Sequence, residues 1–232
     1  MQAGRLYLIP IEITDDGMST IPAYNISVIH DIKHYIVERA RTARRFISRT
    51  KPPHPISDIE IVEIEETGES IEQCFTWLKA GHNVGVMSES GMPGIADPGQ
   101  KVVNTAHKAN ITIIPLVGPN SIMLALSASG LSGQNFAFNG YLPIQENELK
   151  SELKHLESQV LKRKQTQICI ETPYRNDRLL KNLLTSLNTN IKLCIAKDIT
   201  GKEEMIATKT IAQWKKENMV IGKWPTIFLI GV

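Results

Sequence analysis

Four side chains able to do chemistry lie within one short bend of this chain: Ser88, Glu89, Ser90 and Asp97, inside VGVMSESGMPGIADPG. Val84, Val86 and Met87 read as a buried strand whose pattern breaks at Ser88. Gly91, Gly94 and Gly99, with Pro93 and Pro98, hold off a helix until about Gln100. A strand that ends in a glycine-rich bend lets backbone approach a ligand with no Cβ atoms in the way. Open α/β sheets bind ligands just beyond the carboxyl ends of such strands. A second turn of the same kind, Gly118–Ser121, follows another apolar run. Together the two turns suit a ligand held mainly by main-chain groups in a cleft between domains.

Several chemistries are excluded. There is no G-x-x-x-x-G-K-[ST], so a P-loop nucleotidase is disfavoured, and the bend reads G-x-x-G-x-x-x-x-G rather than the dinucleotide fingerprint. No G-x-S-x-G elbow is present. The six histidines are scattered, and Cys74, Cys169 and Cys194 have no metal-ligand spacing. Those thiols sit in apolar or helical contexts and read as free cysteines in a reducing compartment.

Around the two turns, strand and helix patterns alternate. RLYLIPIEI is a strand ending near Pro10. Ile26–Ser48 carries apolar residues at helical spacing, for one or two amphipathic helices. Ile59–Ile64 reads as a strand, Ser70–Ala80 as a helix ending at Gly81, Gln100–Lys108 as a helix and Ile111–Pro115 as a strand. The next helix, built on Ile122, Met123, Ala125 and Leu126, ends at Gly130. Phe136–Tyr141 (strand), Glu146–Lys164 (helix), Gln167–Glu171, Asp177–Leu187, Lys192–Ala196, Thr210–Asn218 and Thr226–Val232 continue the alternation. This is the signature of βαβ units and a largely parallel sheet. The 232 residues suffice for two modest domains, divided at about Leu116 into 1–115 and 116–232.

With 42% apolar and 22% charged residues the composition is that of a soluble globular protein. The net charge of +2 gives no argument for nucleic acid, but its distribution is uneven. Arg39, Arg41, Arg44, Arg45, Arg49 and Lys51 crowd one segment, opposed mainly by Glu38; either a solvated helix face or a phosphate-contacting patch fits this run. No signal-peptide pattern opens the chain and no apolar run reaches the ~18–20 residues that cross a bilayer. A cytoplasmic protein with no membrane partner is expected.

SESGMPGIADPG, then PLVGPNSIMLALSASGL, FAFNGYLP and ICIETPYRNDRLL, resemble in order the tetrapyrrole-methylase superfamily of S-adenosylmethionine-dependent enzymes. Within it the chain is most similar to the branch that methylates a ribose 2′-oxygen of a cytidine in small-subunit ribosomal RNA. The resemblance runs from Leu6 to the terminal PTIFLIGV. It implies an α/β fold of two α/β domains, a mostly parallel N-terminal sheet and a mixed C-terminal one, with S-adenosylmethionine in the cleft between them. It also implies a homodimer and an RNA substrate. An acceptor of tetrapyrrole or other small-molecule type, and a non-catalytic cofactor- or RNA-binding module, are the competing readings.

Carried over by resemblance, Pro10 ends the first strand where the family lines its cofactor site. Ser88, Glu89, Ser90, Gly91, Met92, Pro93 and Ile95 match the loop that curls around the methionine and ribose portions. Ser121 and Ile122 match the turn contacting the cofactor after Gly-Pro, and Ile170 and Glu171 the strand end before the family's S/T-P-H-R. Met205, Ile206 and Ala207, with Pro225 and Thr226, match the main-chain segments that hold adenine. No metal is implied. The chain departs from the family pattern at Glu89 (commonly Asp), Met92 (commonly Thr) and Tyr174 (His), in the first-strand loop, which reads IEITDDGMS, and at Glu38–Arg41, where ERAR replaces E-D-T-R. Glu171 and Asp97 are the motif's nearest candidates for a general base, yet Glu171 could equally pair with Arg175 and Asp97 could brace its loop. No residue is named catalytic.

Overall fold

A computed structural model describes residues 3–65 and 68–232; Met1 and Gln2 of the N-terminal stretch lie outside the described residues. The chain divides into two compact units, Met1–Asn120 and Ser121–Val232.

The first unit carries five strands, β1 (Leu6–Leu8), β2 (His34–Val37), β3 (Glu60–Glu63), β4 (Val84–Met87) and β5 (Ile113–Pro115). They form one sheet in the order β3-β2-β4-β1-β5, with every pair parallel. Helices α1 (Ala23–Asp31), α2 (Ala40–Arg49), α3 (Glu69–Lys79) and α4 (Gln100–Lys108) connect the strands. Side-chain alternation sends Tyr7, Tyr35, Val37 and Met87 into a core with Ile29, Phe46 and Ile47 of α1 and α2. Leu6, Ile36, Val84 and Val86 face the other way, onto Cys74, Leu78, Val102 and Ala106 of α3 and α4. A parallel sheet covered on both faces results, which is why β2 and β4 read as nearly unbroken apolar runs.

The Ile26–Ser48 stretch, expected to hold one or two helices, is α1, β2 and α2. Ile29, Ile32, Tyr35 and Ile36 satisfy helical spacing, but Tyr35–Val37 is a strand buried on both faces. In α2, Ala43, Phe46 and Ile47 are buried at i, i+3 and i+4, and the arginines occupy the opposite side.

The second unit opens with α5 (Ser121–Ala128), followed by β6 (Phe136–Tyr141), α6 (Glu146–Arg163), β7 (Thr166–Glu171), α7 (Asn176–Ser186), β8 (Lys192–Lys197), β9 (Met205–Thr210), α8 (Ile211–Trp214) and β10 (Thr226–Gly231). Its sheet runs β6-β7-β10-β8-β9, with β6 and β7 parallel and the other pairs antiparallel, so it is mixed. On one face Leu149, Leu153, Leu156 and Val160 of α6 and Leu179, Leu180 and Leu183 of α7 pack on Leu193, Ile195 and Phe228. On the other, Ile122, Ala125 and Leu126 of α5 pack on Ile168, Cys194, Ile227 and Leu229. The helix expected over Thr210–Asn218 is shorter, starting at a capping box between Thr210 and Gln213, and β9 precedes it.

Candidate functional site

Three loops of the first unit leave the carboxyl ends of β1, β4 and β5, and the structure binds them to one another. The Ile11 amide donates to the Gly91 carbonyl at 2.9 Å, and the Ser90 hydroxyl donates to the Ile13 carbonyl at 3.3 Å. Gly91 has φ +66°, and a Cβ there would stand 3.3 Å from the Pro119 carbonyl oxygen. Gly118 lies flat against Pro10, with room for no side chain. Asn25 of α1, buried, donates its amide to the Val117 carbonyl at 2.8 Å and fixes the third loop from beneath. The sequence-predicted Pro10, Ser88, Glu89, Ser90, Gly91, Met92, Pro93 and Ile95 are therefore assembled at one end of one sheet. Ser88 is buried and donates to the Ser90 carbonyl at 3.1 Å, bracing the bend rather than facing outward.

Beside this bend lies an open cavity of about 530 Å³, within the usual range of small-molecule sites, walled by Leu8, Met92, Pro93, Ile95 and Pro115, with Gln100, Asn104 and His107 as polar groups.

The loop's electrostatics are acidic. Glu38, directly after β2, accepts the Glu89 amide on Oε2 at 2.9 Å, and its own amide donates to the Met87 carbonyl at 3.0 Å. Glu89 in turn accepts the Thr42 hydroxyl at 3.1 Å. Asp97 is pushed up from 3.8 to about 6, chiefly by burial, then by the Glu38 charge; the nearby Ser88 hydroxyl opposes the rise and Glu89 adds to it. Glu38 was legible in the sequence as a counter-charge to the basic run and as the first residue of the ERAR segment; its place beside Glu89 depends on β2, the strand that helical spacing concealed.

The same structure divides the basic segment. Arg49 pairs with Glu12, which is 8% exposed, and also donates to the Asp15 carbonyl at 2.7 Å. Arg45 pairs with the Asp15 carboxylate. Arg39 stands 4.0 Å from Glu63, whose Oε1 accepts the Ala40 amide at the start of α2. Half of the basic run thus holds down the loop after β1 and the entry to α2. Arg41 and Arg44 are exposed and, among the described residues, form no ion pair.

The second unit collects the remaining predicted residues along one row of its sheet. Glu171 of β7 pairs in register with Thr226 of β10, Thr226 with Lys197 of β8, and Lys197 with Met205 of β9. Ile170, Ile206 and Ala207 lie one or two residues from that row, and Pro225 immediately precedes it. Ile122, Ile170 and Ile206 give their side chains to the core around α5. Ser121 opens α5. Glu171 is committed elsewhere: its Oε1 accepts from Arg175 Nη2 at 2.6 Å, Arg175 Nε at 3.0 Å and the Thr172 amide at 2.6 Å. Of its two readings, pairing with Arg175 is the one realised.

A family profile described as Tetrapyrrole (Corrin/Porphyrin) Methylases matches residues 28–215. The chain belongs to that family. It is a methyltransferase, and its cofactor is S-adenosylmethionine. The chain is 29% identical over 224 residues to Ribosomal RNA small subunit methyltransferase I of Bacillus subtilis, covering 95% of this chain and 73% of the relative. It is 28% identical over 240 residues to the protein of the same name from Buchnera aphidicola of Schizaphis graminum, covering 99% and 78%. Among solved structures, the methyltransferase CobJ superposes with a TM-score of 0.65 at 14% identity, over 99% of this chain and 94% of that one. Uroporphyrin-III C-methyltransferase from Thermus thermophilus gives 0.57 at 15%, over 100% and 93%. Those two likenesses speak for the fold of this methylase.

The residues present fit the cofactor. A sulfonium cation suits carboxylate and carbonyl oxygens, and Glu38, Glu89 and Asp97 cluster at the bend. Gly91 and Gly118 sit where Cβ atoms would press on neighbouring loops, so these turns present backbone rather than side chains. No helix among the described residues is long and apolar enough to cross a membrane.

Proposed function

We propose that this methylase modifies small-subunit ribosomal RNA, transferring a methyl group to the ribose 2′-oxygen of a cytidine. The observation that carries the reading is the likeness, over nearly the whole chain, to proteins named Ribosomal RNA small subunit methyltransferase I. The three loops joined through Ile11–Gly91 and Pro10–Gly118 support it.

S-Adenosylmethionine supplies an electrophilic methyl group on a sulfonium. The chain's contribution is positioning and charge. Pro10 with Ser88, Glu89, Ser90, Gly91, Met92, Pro93 and Ile95 contacts the methionine and ribose portions. Ser121, Ile122, Ile170 and Glu171 contribute main chain, and Met205, Ile206, Ala207, Pro225 and Thr226 hold adenine. Glu38, Glu89 and Asp97 provide the negative field that favours a cation at the bend. The protein works in the cytoplasm as a homodimer.

Mapping the methylated nucleotide tests the acceptor. Ribosomal RNA from a strain lacking this protein, incubated with the enzyme and methyl-labelled cofactor, should take up label at one cytidine ribose. Label on a tetrapyrrole instead would reassign the acceptor. Binding without transfer to any acceptor would leave a non-catalytic module. Calorimetry with S-adenosylhomocysteine should show micromolar affinity, about −8 kcal/mol. Sedimentation gives the oligomeric state.

A further inference from the structure

The row Glu171–Thr226–Lys197 ends beside a group of side chains that neither the core nor the cofactor residues use. Tyr174 follows β7 by three residues and is 80% exposed. Trp224 precedes β10 by two and is 40% exposed. Lys223 Nζ stands 5.0 Å from the centroid of the Tyr174 ring, and Lys197 Nζ stands 5.9 Å from that of Trp224. Two ring–ammonium pairs are thus joined through the adjacent residues Lys223 and Trp224. Their proximity follows from the antiparallel register, which sets the ends of β7 and β8 on either side of the start of β10.

Part of this group is held rigidly from below. Asn176, fully buried, donates Nδ2 to the Trp224 carbonyl at 2.7 Å and to the Gly222 carbonyl at 3.3 Å. Asp177 accepts the Ile221 amide at 2.7 Å and the Gly222 amide at 3.3 Å. Two adjacent residues at the start of α7 therefore clamp the segment that carries Lys223 and Trp224. An exposed aromatic ring gains far less from the isolated fold than a buried one, because burial is its main source of stabilisation. The segment that carries Lys223 and Trp224, fixed by buried Asn176 and by Asp177, is preorganised for a partner.

The chemistry of that partner can be read from the pairing. Nucleobases stack on aromatic faces, and the phosphate attached to each base is met by a nearby ammonium. Bases are available for stacking only where they are unpaired, since a duplex keeps its faces covered. We propose that Tyr174, Lys223, Trp224 and Lys197 form a binding surface for single-stranded RNA, with unpaired bases stacked on Tyr174 and Trp224 and phosphates on the two lysines. This rests on the reading of the acceptor as RNA, and adds that the acceptor is engaged in an unpaired segment, through the second unit.

The test is fluorescence anisotropy with a labelled short single-stranded RNA, and with the same strand annealed to its complement, using the full chain. Single strand should bind more tightly than duplex. Tyr174→Ala and Trp224→Ala should each weaken single-strand binding about tenfold, and Tyr174→Phe should retain it, because stacking needs the ring and not the hydroxyl. Lys223→Gln should lower the slope of log affinity against log salt by about one contact's worth. Equal binding by wild type and Tyr174→Ala would overturn the surface, as would equal losses for single strand and duplex. So would a change of oligomeric state in Tyr174→Ala, which would make the patch a contact between copies. S-Adenosylhomocysteine calorimetry on wild type and Tyr174→Ala separates the two readings. If both bind the cofactor product and Tyr174→Ala still binds RNA, the surface falls and the methyltransferase stands; if wild type binds no RNA at all, the RNA acceptor falls with it.

Discussion

A Cβ on Gly118 would stand 2.4 Å from the Cβ of Pro10, closer than any two such atoms can approach. The end of β1 and the turn after β5 are thus packed main chain against ring. Because β1 and β5 are hydrogen-bonded neighbours, this contact decides how the two loops leave the sheet. Any side chain at position 118 must move one of them. Gly118→Ala is expected to lower stability by about 1–3 kcal/mol, the usual cost of overpacking. It should weaken S-adenosylhomocysteine binding more than Gly133→Ala, whose Cβ would meet nothing within 4 Å. Thermal melts and calorimetry on the two variants check both statements.

Asp97 makes the cofactor's charge measurable. Its carboxyl is held up near 6 mainly by burial and then by Glu38, so it ionises as pH passes through about 6. S-Adenosylmethionine carries a positive sulfur and S-adenosylhomocysteine a neutral one. The ratio of their affinities should therefore shift toward the cation by a few-fold between about pH 5 and about pH 7.5, on the order of 1 kcal/mol. Asp97→Asn should flatten that dependence. The same group has a signature in stability. A folded-state value above the unfolded one means that the folded chain holds the proton longer, so its contribution to stability falls as pH rises from about 4 through about 6. Asp97→Asn should accordingly lose less stability than wild type over that window, read by denaturant titration at several pH values.

The sequence carried the bend and hid its wall. Glycines and prolines at 91–99 could be read because they forbid regular structure wherever they occur, and Gln100–Lys108 and Phe136–Tyr141 fall where the pattern puts them. β2 was not legible. Three residues buried on both faces, Tyr35–Val37, have no alternation to display, and Ile29, Ile32, Tyr35 and Ile36 mimic a helix face. With β2 hidden, Glu38 had no place beside Glu89 and Asp97. β9 escaped for the opposite reason: an edge strand of half-buried residues, MIATKT, shows too little apolar contrast. Resemblance supplied Met205–Ala207 where periodicity did not. The commitment of Glu171 to Arg175 was open at the level of sequence, since an i, i+4 spacing permits a pair without requiring it.

Glu12 and Arg49 test whether the rewritten loop after β1 is a built element. Glu12 is buried and its pKa is raised by burial, against which a backbone hydrogen bond, Arg49 and Arg45 act. Its Oε2 has no hydrogen-bond partner among the described residues, and Arg49 is the largest opposing charge beside it, after a backbone hydrogen bond. Removing the guanidinium leaves a carboxylate with little to offset desolvation. Arg49→Ala should cost about 2 kcal/mol at neutral pH, below the full value for breaking a buried pair because Arg49 is partly exposed. The loss should shrink as pH falls and Glu12 takes up a proton, since a raised carboxyl destabilises only when ionised. Combining it with Glu12→Gln should recover part of the stability. An Arg49→Ala penalty that does not vary with pH would show that the arginine acts through packing of its stem.

Arg41 and Arg44 are what remains of the basic run once its pairs are assigned. Arg45 and Arg49 are tied to Asp15 and Glu12, and Arg39 approaches Glu63. Neutralising paired arginines would disturb the loop after β1, whereas Arg41 and Arg44 extend from α2 without partners among the described residues. If this face contacts phosphate, the double variant Arg41→Gln, Arg44→Gln should reduce the salt slope of RNA binding by about two contacts. Thermal stability should stay within about 0.5 kcal/mol of wild type, as for most exposed substitutions. An unchanged slope would make the outer face of α2 a solvated one. The distinction matters for the acceptor, because Arg41 lies between Ala40 and Thr42, whose hydrogen bonds hold Glu63 and Glu89. Phosphate bound there would place negative charge near the acidic bend, and α2 would separate the two. A loss of RNA affinity with S-adenosylhomocysteine affinity intact would show that the helix performs that separation.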